Sequence, residues 1–223
     1  MIIAKYVAVV LIGYLIGSIP FGLLISRRST GIDLRKIGSG KIGTTNVLRT
    51  AGRKAAALVL LLDIAKGALP VVLAGLIFGE SYYLAQVLAA LAAIAGHSWS
   101  VFLGFKGGRG VATFLGGLFA LHWPAAVTGG AIMILISFRT RYMSLGSITG
   151  AVSAFILLMV LCIMQLNFLK AYPPIEYVIY AMIGAIFIYV MHHDNIIRLI
   201  SGTERKLGEK AEADNPNPSG NHE

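Results

Sequence analysis

Between Gly96 and Thr113 the chain reads Gly-His-Ser-Trp-Ser-Val-Phe-Leu-Gly-Phe-Lys-Gly-Gly-Arg-Gly-Val-Ala-Thr. Its centre, Lys106-Gly107-Gly108-Arg109-Gly110, sets two cations and three glycines between apolar segments. Glycine lets backbone N–H groups approach an anion with no Cβ in the way. Lysine adds a point charge, and arginine a planar fork that fits phosphate. A helix expected to begin near Val111 aims its positive end at the same place. This is the pattern of a phosphate-binding loop, with Gly107, Gly108 and Gly110 supplying backbone and Lys106 and Arg109 supplying charge. A plain basic loop would account for the two cations but not for the glycines.

Two further polar stretches carry similar chemistry. Residues 27–54 hold eight cations against one acid, Asp33. Within them glycine, hydroxyl and amide groups alternate around Arg35, Ser39, Gly40, Thr45, Asn46 and Arg49, as suits a structured anion-binding loop. Near the other end, His192 and Asn195 stand three apart and would share a helix face if the helix continues past Met191. A short basic loop, 139–147, adds Ser144 and Ser147. Cations and hydroxyls with few carboxylates suit a phosphorylated substrate and suit Mg²⁺ poorly. No metal site or cofactor is expected. Cys162 is the only cysteine, so an intrachain disulfide, a thiolate metal site and a CxxC pair are all excluded. HExxH, GxSxG and Walker A patterns are absent. So are the HxxxxD sequence of acyl-CoA-dependent glycerolipid acyltransferases and the DGxxAR pattern of CDP-alcohol phosphotransferases.

The elements that must position these residues are membrane helices. Hydrophobic residues make up 57% of the 223, mean hydropathy is +0.77, and only 13% are charged, against about a quarter in soluble domains. Several runs approach the ~20 apolar residues that cross a bilayer. The expected fold is all-α, a polytopic integral membrane protein of about seven transmembrane helices with structured cytoplasmic loops. Residues 1–208 form a single membrane catalytic domain, and 209–223 a disordered cytoplasmic tail. The expected spans are 2–26, 55–78, 83–103, 112–121, 125–138, 148–168 and 176–191. Pro20 should kink the first and free a backbone carbonyl, and its glycines should serve close helix packing. Asp63 and Lys66 stand i, i+3 inside the second. A buried ion pair that fixes helix packing is the favoured reading, although ionisable groups there default to function. His97 and Trp99 read as helix-end packing, and His193 as a solvated tail residue.

Charge sets the topology. Treating 112–121 and 125–138 as separate crossings puts sixteen of the nineteen Lys and Arg on one face. The positive-inside rule makes that face cytoplasmic, with the N-terminus outside and the C-terminus inside. The net charge of +9 then faces anionic lipid and substrate rather than nucleic acid.

Three segments carry a family resemblance: 38–46 (Gly-Ser-Gly-Lys-Ile-Gly-Thr-Thr-Asn), 96–113, and His192-His193-Asp194-Asn195-Ile196-Ile197-Arg198-Leu199 through Gly202-Thr203-Glu204-Arg205-Lys206. They resemble, in order and spacing, the signature motifs of the bacterial acyl-phosphate:glycerol-3-phosphate acyltransferases. Gly17-Ser18-Ile19-Pro20-Phe21-Gly22 and Asp63-Ile64-Ala65-Lys66-Gly67 are similar to that family's flanking segments. Departures are Lys41 for asparagine, Ser100 for proline, Arg109 for lysine and His193 for arginine. The resemblance implies a multi-pass enzyme of the bacterial plasma membrane that makes 1-acylglycerol 3-phosphate and phosphate, as the first acylation of phospholipid synthesis. Its implied partners are acyl phosphate, glycerol 3-phosphate and membrane lipid; the oligomeric state stays open, a monomer included.

The residues make physical sense of that reaction. Each substrate brings a phosphate, so two anion sites must lie close together. The glycine loop and Lys106 can hold the acyl phosphate, and Ser39, Arg49 and Arg109 the glycerol phosphate. His192, Asn195, Lys106 and Ser39 are the catalytic candidates. Either His192 or a substrate phosphate, which titrates near pH ~6, can take the hydroxyl proton. Phosphate is already a good leaving group, so we expect substrate-assisted catalysis with His192 orienting the phosphate. A transporter or channel for an organic phosphate anion is the alternative, but apart from Asp63 and Lys66 the spans offer no polar path.

Overall fold

A computed structural model describes residues 2–79, 82–166 and 172–209. The fold is all-helical: α1 (Ile2–Ser18), α2 (Phe21–Thr30), α3 (Thr44–Phe78), α4 (Tyr83–Ser98), α5 (Val111–Thr140), α6 (Met143–Ile163), α7 (Ile175–Met191) and α8 (His193–Ile200), with short 3₁₀ turns at Leu34–Lys36 and Val101–Leu103. Among the described residues five segments are long and apolar enough to cross a membrane, and six if the α7–α8 pair, bent by 60°, is counted. Parts of two expected turns, 79–82 and 169–175, and the tail beyond 209 lie outside the described residues.

Pro20 breaks the first span as its fixed φ and missing N–H require. The carbonyls released at the break are taken up by side chains from the segment after α4 and from α3. Ser100 Oγ donates to Ser18 O at 2.6 Å, and Lys66 Nζ donates to Ile19 O at 2.8 Å. The small residues on α1 pack as expected: a Cβ at Gly13 or Gly17 would strike the α4 backbone at Ala89 or Ala93. α3 starts at Thr44, eleven residues before the expected 55, and turns at Gly52, where φ is +84°. Its first turns were hidden in the sequence by their polar, cationic composition. For the same reason α6 begins at Met143 inside the expected basic loop.

The segment 111–140 forms one element with a break. His122, at φ −153° and ψ 87°, interrupts α5 just before Pro124. A straight helix of this length would run about 45 Å. Yet Val111, Ala112 and Leu115 line the same cavity as Met133, Ser137 and Phe138. α5 therefore doubles back at His122, and both of its ends meet at one face of the bundle. The core runs through this hairpin: Phe114 stacks on Tyr180 of α7 at 5.4 Å, and Tyr180 donates its hydroxyl to Phe114 O at 2.9 Å.

Candidate active site

The loop 33–46 is tied by one side chain. Asn46, 3% exposed, donates from Nδ2 to Leu34 O, Ile37 O and Lys41 O at 2.9–3.2 Å. Its Oδ1 accepts from Ser39 N at 3.4 Å. Four contacts on one buried amide fix a backbone that has only the 3₁₀ turn before Ile37 and the start of α3 as regular structure, and they place Ser39 at the cavity wall. Arg35 is spent elsewhere. It pairs with Asp33 at 2.6 Å, holding that carboxyl well below the usual carboxylate range, and it lines neither cavity described here.

The 106–110 loop is built differently. Gly108 N donates to His97 O at 3.1 Å. A Cβ at Gly107 would strike that carbonyl, and one at Gly108 the His97 imidazole. Packing against α4 thus demands these two glycines. Gly110, at φ +80°, supplies the left-handed turn into α5. Lys106 is exposed and lines neither cavity. Arg109 points inward and lines both. Burial, with Arg198 and Arg49 nearby, pushes its pKa down to about 10 against the pull of Glu204 and Asp194, and it stays charged. Its Nε has no hydrogen-bond partner among the described residues.

The sequence-expected helix past Met191 bends at His192 rather than continuing straight, but His192 and Asn195 still face one cavity. His192 is 2% exposed, and its Nδ1 lies 2.7 Å from Ile188 O. A carbonyl only accepts, so Nδ1 carries the proton and Nε2 keeps its lone pair. Burial first, then the Arg109 cation, pushes the pKa of His192 down to about 4. The ring is therefore neutral near pH 7, an acceptor rather than a cation. Asn195 gives Nδ2 to Glu204 Oε1 at 2.6 Å, and its buried Oδ1 has no partner among the described residues.

Glu204 is the residue that sequence reasoning missed. Its carboxylate accepts from Ser144 at 2.8 Å, Asn195 at 2.6 Å and Arg198 at 2.9 Å. Burial alone would raise its pKa, but those three bonds together hold it below the usual value. The signal was a single acid among Arg198, Arg205 and Lys206. The segment around it closes the site: Arg49 donates to Arg205 O and Lys206 O at 3.2–3.3 Å, and Leu207 exchanges hydrogen bonds with Arg141.

Two cavities result. The inner one, 270 Å³, is lined by Ser39, Thr45, Asn46, Arg49, Arg109, Gly110, Ser144, Ser147, His192 and Asn195 on its polar side. Leu60, Leu115, Met133, Ile134 and Phe138 make its apolar side. The outer one, 230 Å³, is lined by Gly38, Ser39, Gly40, Arg109, Asp194, Arg198 and Arg205. The structure therefore gathers Ser39, Gly40, Thr45, Asn46, Arg49, Arg109, Gly110, Ser144, Ser147, His192 and Asn195. It leaves Arg35, Lys106, Gly107 and Gly108 outside.

Residues 7–202 match the model of the family described as glycerol-3-phosphate acyltransferase. The chain is 51% identical over 221 residues to "Glycerol-3-phosphate acyltransferase 3" of Dehalococcoides mccartyi, covering 95% of this chain and all of that protein. It is 43% identical to the glycerol-3-phosphate acyltransferase of Shouchella clausii, over 93% of this chain and 98% of that one. The fold matches the crystal structure of PlsY (YgiH), an integral membrane glycerol 3-phosphate acyltransferase, in its glycerol 3-phosphate form. That match has a TM-score of 0.81 and 38% identity, over 91% of this chain and 96% of that one. The lysophosphatidic acid form of PlsY matches with a TM-score of 0.79. The chain belongs to the glycerol-3-phosphate acyltransferase family.

Proposed function

We propose that this member of the family transfers an acyl group from acyl phosphate to the 1-hydroxyl of sn-glycerol 3-phosphate. The products are 1-acylglycerol 3-phosphate and phosphate. One observation carries the reading: Ser39, Arg109 and Arg205 belong to both cavities, Arg109 the more buried of the two arginines. An arginine shared by an outer polar pocket and an inner, half-apolar one can hold two phosphates side by side, and the acyl chain follows the apolar wall toward the bilayer. Thr45, Arg49, Ser144 and Ser147 complete the polar wall, and Asn195 offers Oδ1 to a donor. The 1-hydroxyl oxygen attacks the acyl carbonyl carbon, the bond from that carbon to the bridging oxygen breaks, and its electron pair leaves with that oxygen on phosphate. The hydroxyl proton ends on a phosphate oxygen. Before attack the hydroxyl donates to neutral His192 at Nε2, which orients it. As the new bond forms the proton passes to the phosphate oxygen, a stronger base near pH ~6 than this imidazole at about 4.

In this reading each arm of α5 counts as one crossing, giving seven. Residues 1–208 act as one unit with 209–223 as a tail; the positive-inside rule supports a site and C-terminus in the cytoplasm of a bacterial cell and an N-terminus outside. Purified protein given acyl phosphate and glycerol 3-phosphate should release phosphate without added Mg²⁺ and should not use acyl-CoA. Robust acyl-CoA use, or loss of activity to a chelator, would overturn the donor assignment.

A further inference from the structure

The apolar wall of the inner cavity has one polar corner. Asp63 of α3 and His97 of α4 reach it, at 1% and 3% exposure. Asp63 Oδ1 lies 2.7 Å from Lys66 Nζ and 3.8 Å from His97 Nδ1. Lys66 has a sufficient structural role, since it balances Asp63 and ties α3 to the break at Ile19. That role leaves His97 unexplained. Its carbonyl holds Gly108, but ring Nδ1 has no hydrogen-bond partner among the described residues. Buried polar atoms are rarely left so. A separation of 3.8 Å is too long for a direct N–H···O bond, and a hydroxyl oxygen about 2.8 Å from each atom spans it.

Glycerol 3-phosphate brings one hydroxyl that the reaction does not touch. Resting on the acceptor reading above, we propose that Asp63 and His97 bind this free 2-hydroxyl. The O–H donates to Asp63 Oδ1, and its oxygen accepts from His97 Nδ1–H. A carboxylate and an imidazole then select a vicinal diol phosphate over a simple alcohol phosphate. A site built to pair a hydroxyl rejects the analogue that lacks it, because its own buried groups are left unpaired.

The test compares glycerol 3-phosphate with 1,3-propanediol monophosphate, which keeps the phosphate and the reacting hydroxyl and lacks the 2-hydroxyl. The parent should prefer glycerol 3-phosphate at least about tenfold in kcat/KM. That preference should shrink to within about threefold in His97→Leu, and equally in the paired Asp63→Leu/Lys66→Met variant, which leaves no lone buried charge. If both acceptors slow in proportion and the preference survives, the corner is only structural and the inference falls. A parent that does not discriminate overturns it with no variant needed. No turnover of either acceptor with acyl phosphate would instead overturn the acyl-transfer reading, and this inference with it.

Discussion

In the 38–46 loop the glycines have room: nothing stands within 4 Å of a Cβ built at Gly43, and Gly40 meets only the Arg35 carbonyl at 3.5 Å. In the 106–110 loop two of three glycines press on His97. The first loop is held from inside, by the Asn46 amide, and turns its backbone and Ser39 toward pockets. The second is held from outside, by α4, and delivers one side chain. Glycine next to cations thus has two physical origins, close helix packing and anion access, and composition does not separate them.

Four substitutions, with Gly43→Ala as a stability control, can break or sharpen this contrast. The largest effect belongs to Arg109→Ala. If the loop exists to deliver this guanidinium, two charge-assisted hydrogen bonds go with it, each worth about 1.5–3 kcal/mol, and kcat/KM should fall roughly a thousandfold. A loss below about tenfold would mean the loop works through its backbone after all. Gly108→Ala should follow. Its methyl must displace the loop or the His97 ring, and a shift of about 1 Å at a site costs roughly a hundredfold. Lowered thermal stability should accompany that loss, whereas Gly43→Ala, where a Cβ meets nothing within 4 Å, should leave stability nearly unchanged.

His192→Ala comes third, at roughly ten- to hundredfold, because it removes orientation and leaves a phosphate to take the proton. The parent should lose rate near pH ~6 as the substrate phosphate protonates, with no inflection from His192 near 6.5, because His192 itself titrates only as pH approaches about 4. Stability should fall as pH drops from 6.5 to about 4, since over that range the unfolded chain binds a proton that the folded chain does not. A dead variant that binds both substrates normally would make His192 the base. The smallest effect is Lys106→Ala. Exposed and outside both cavities, Lys106 should matter within about threefold, an effect below about 0.7 kcal/mol. Near-complete inactivity would return the loop to the cationic role that its sequence suggests.

The helices were legible because apolar runs of bilayer length have few other uses. Pro20, the glycines of α1 and the gathering of polar loops on one face followed from sequence for equally local reasons. Helix starts at Thr44 and Met143 did not, because polar first turns resemble loops until tertiary contacts are known. His192, Asn195, Ser39 and Arg109 were legible as polar candidates, and the fold brings all four to one cavity. Glu204 was not, because its meaning lies in Ser144, sixty residues away, and no local pattern carries that distance. Lys106 and Arg109 differ by three positions and look interchangeable; only the packing of Gly107 and Gly108 on His97 decides which of them turns inward.

The strap around Glu204 also has a consequence in time. A ribosome makes the chain from its N-terminus, and residues 203–207 are the last part of the cavity wall to appear. Until they emerge, Arg49 and Arg141 lack the carbonyls they hold, and Ser144 and Asn195 lack their shared carboxylate. A nascent chain with every apolar helix already in the bilayer is therefore still catalytically open. Translation must reach the strap before these contacts can form, so a chain truncated before residue 203 is expected to hold its apolar helices and lack the closed wall.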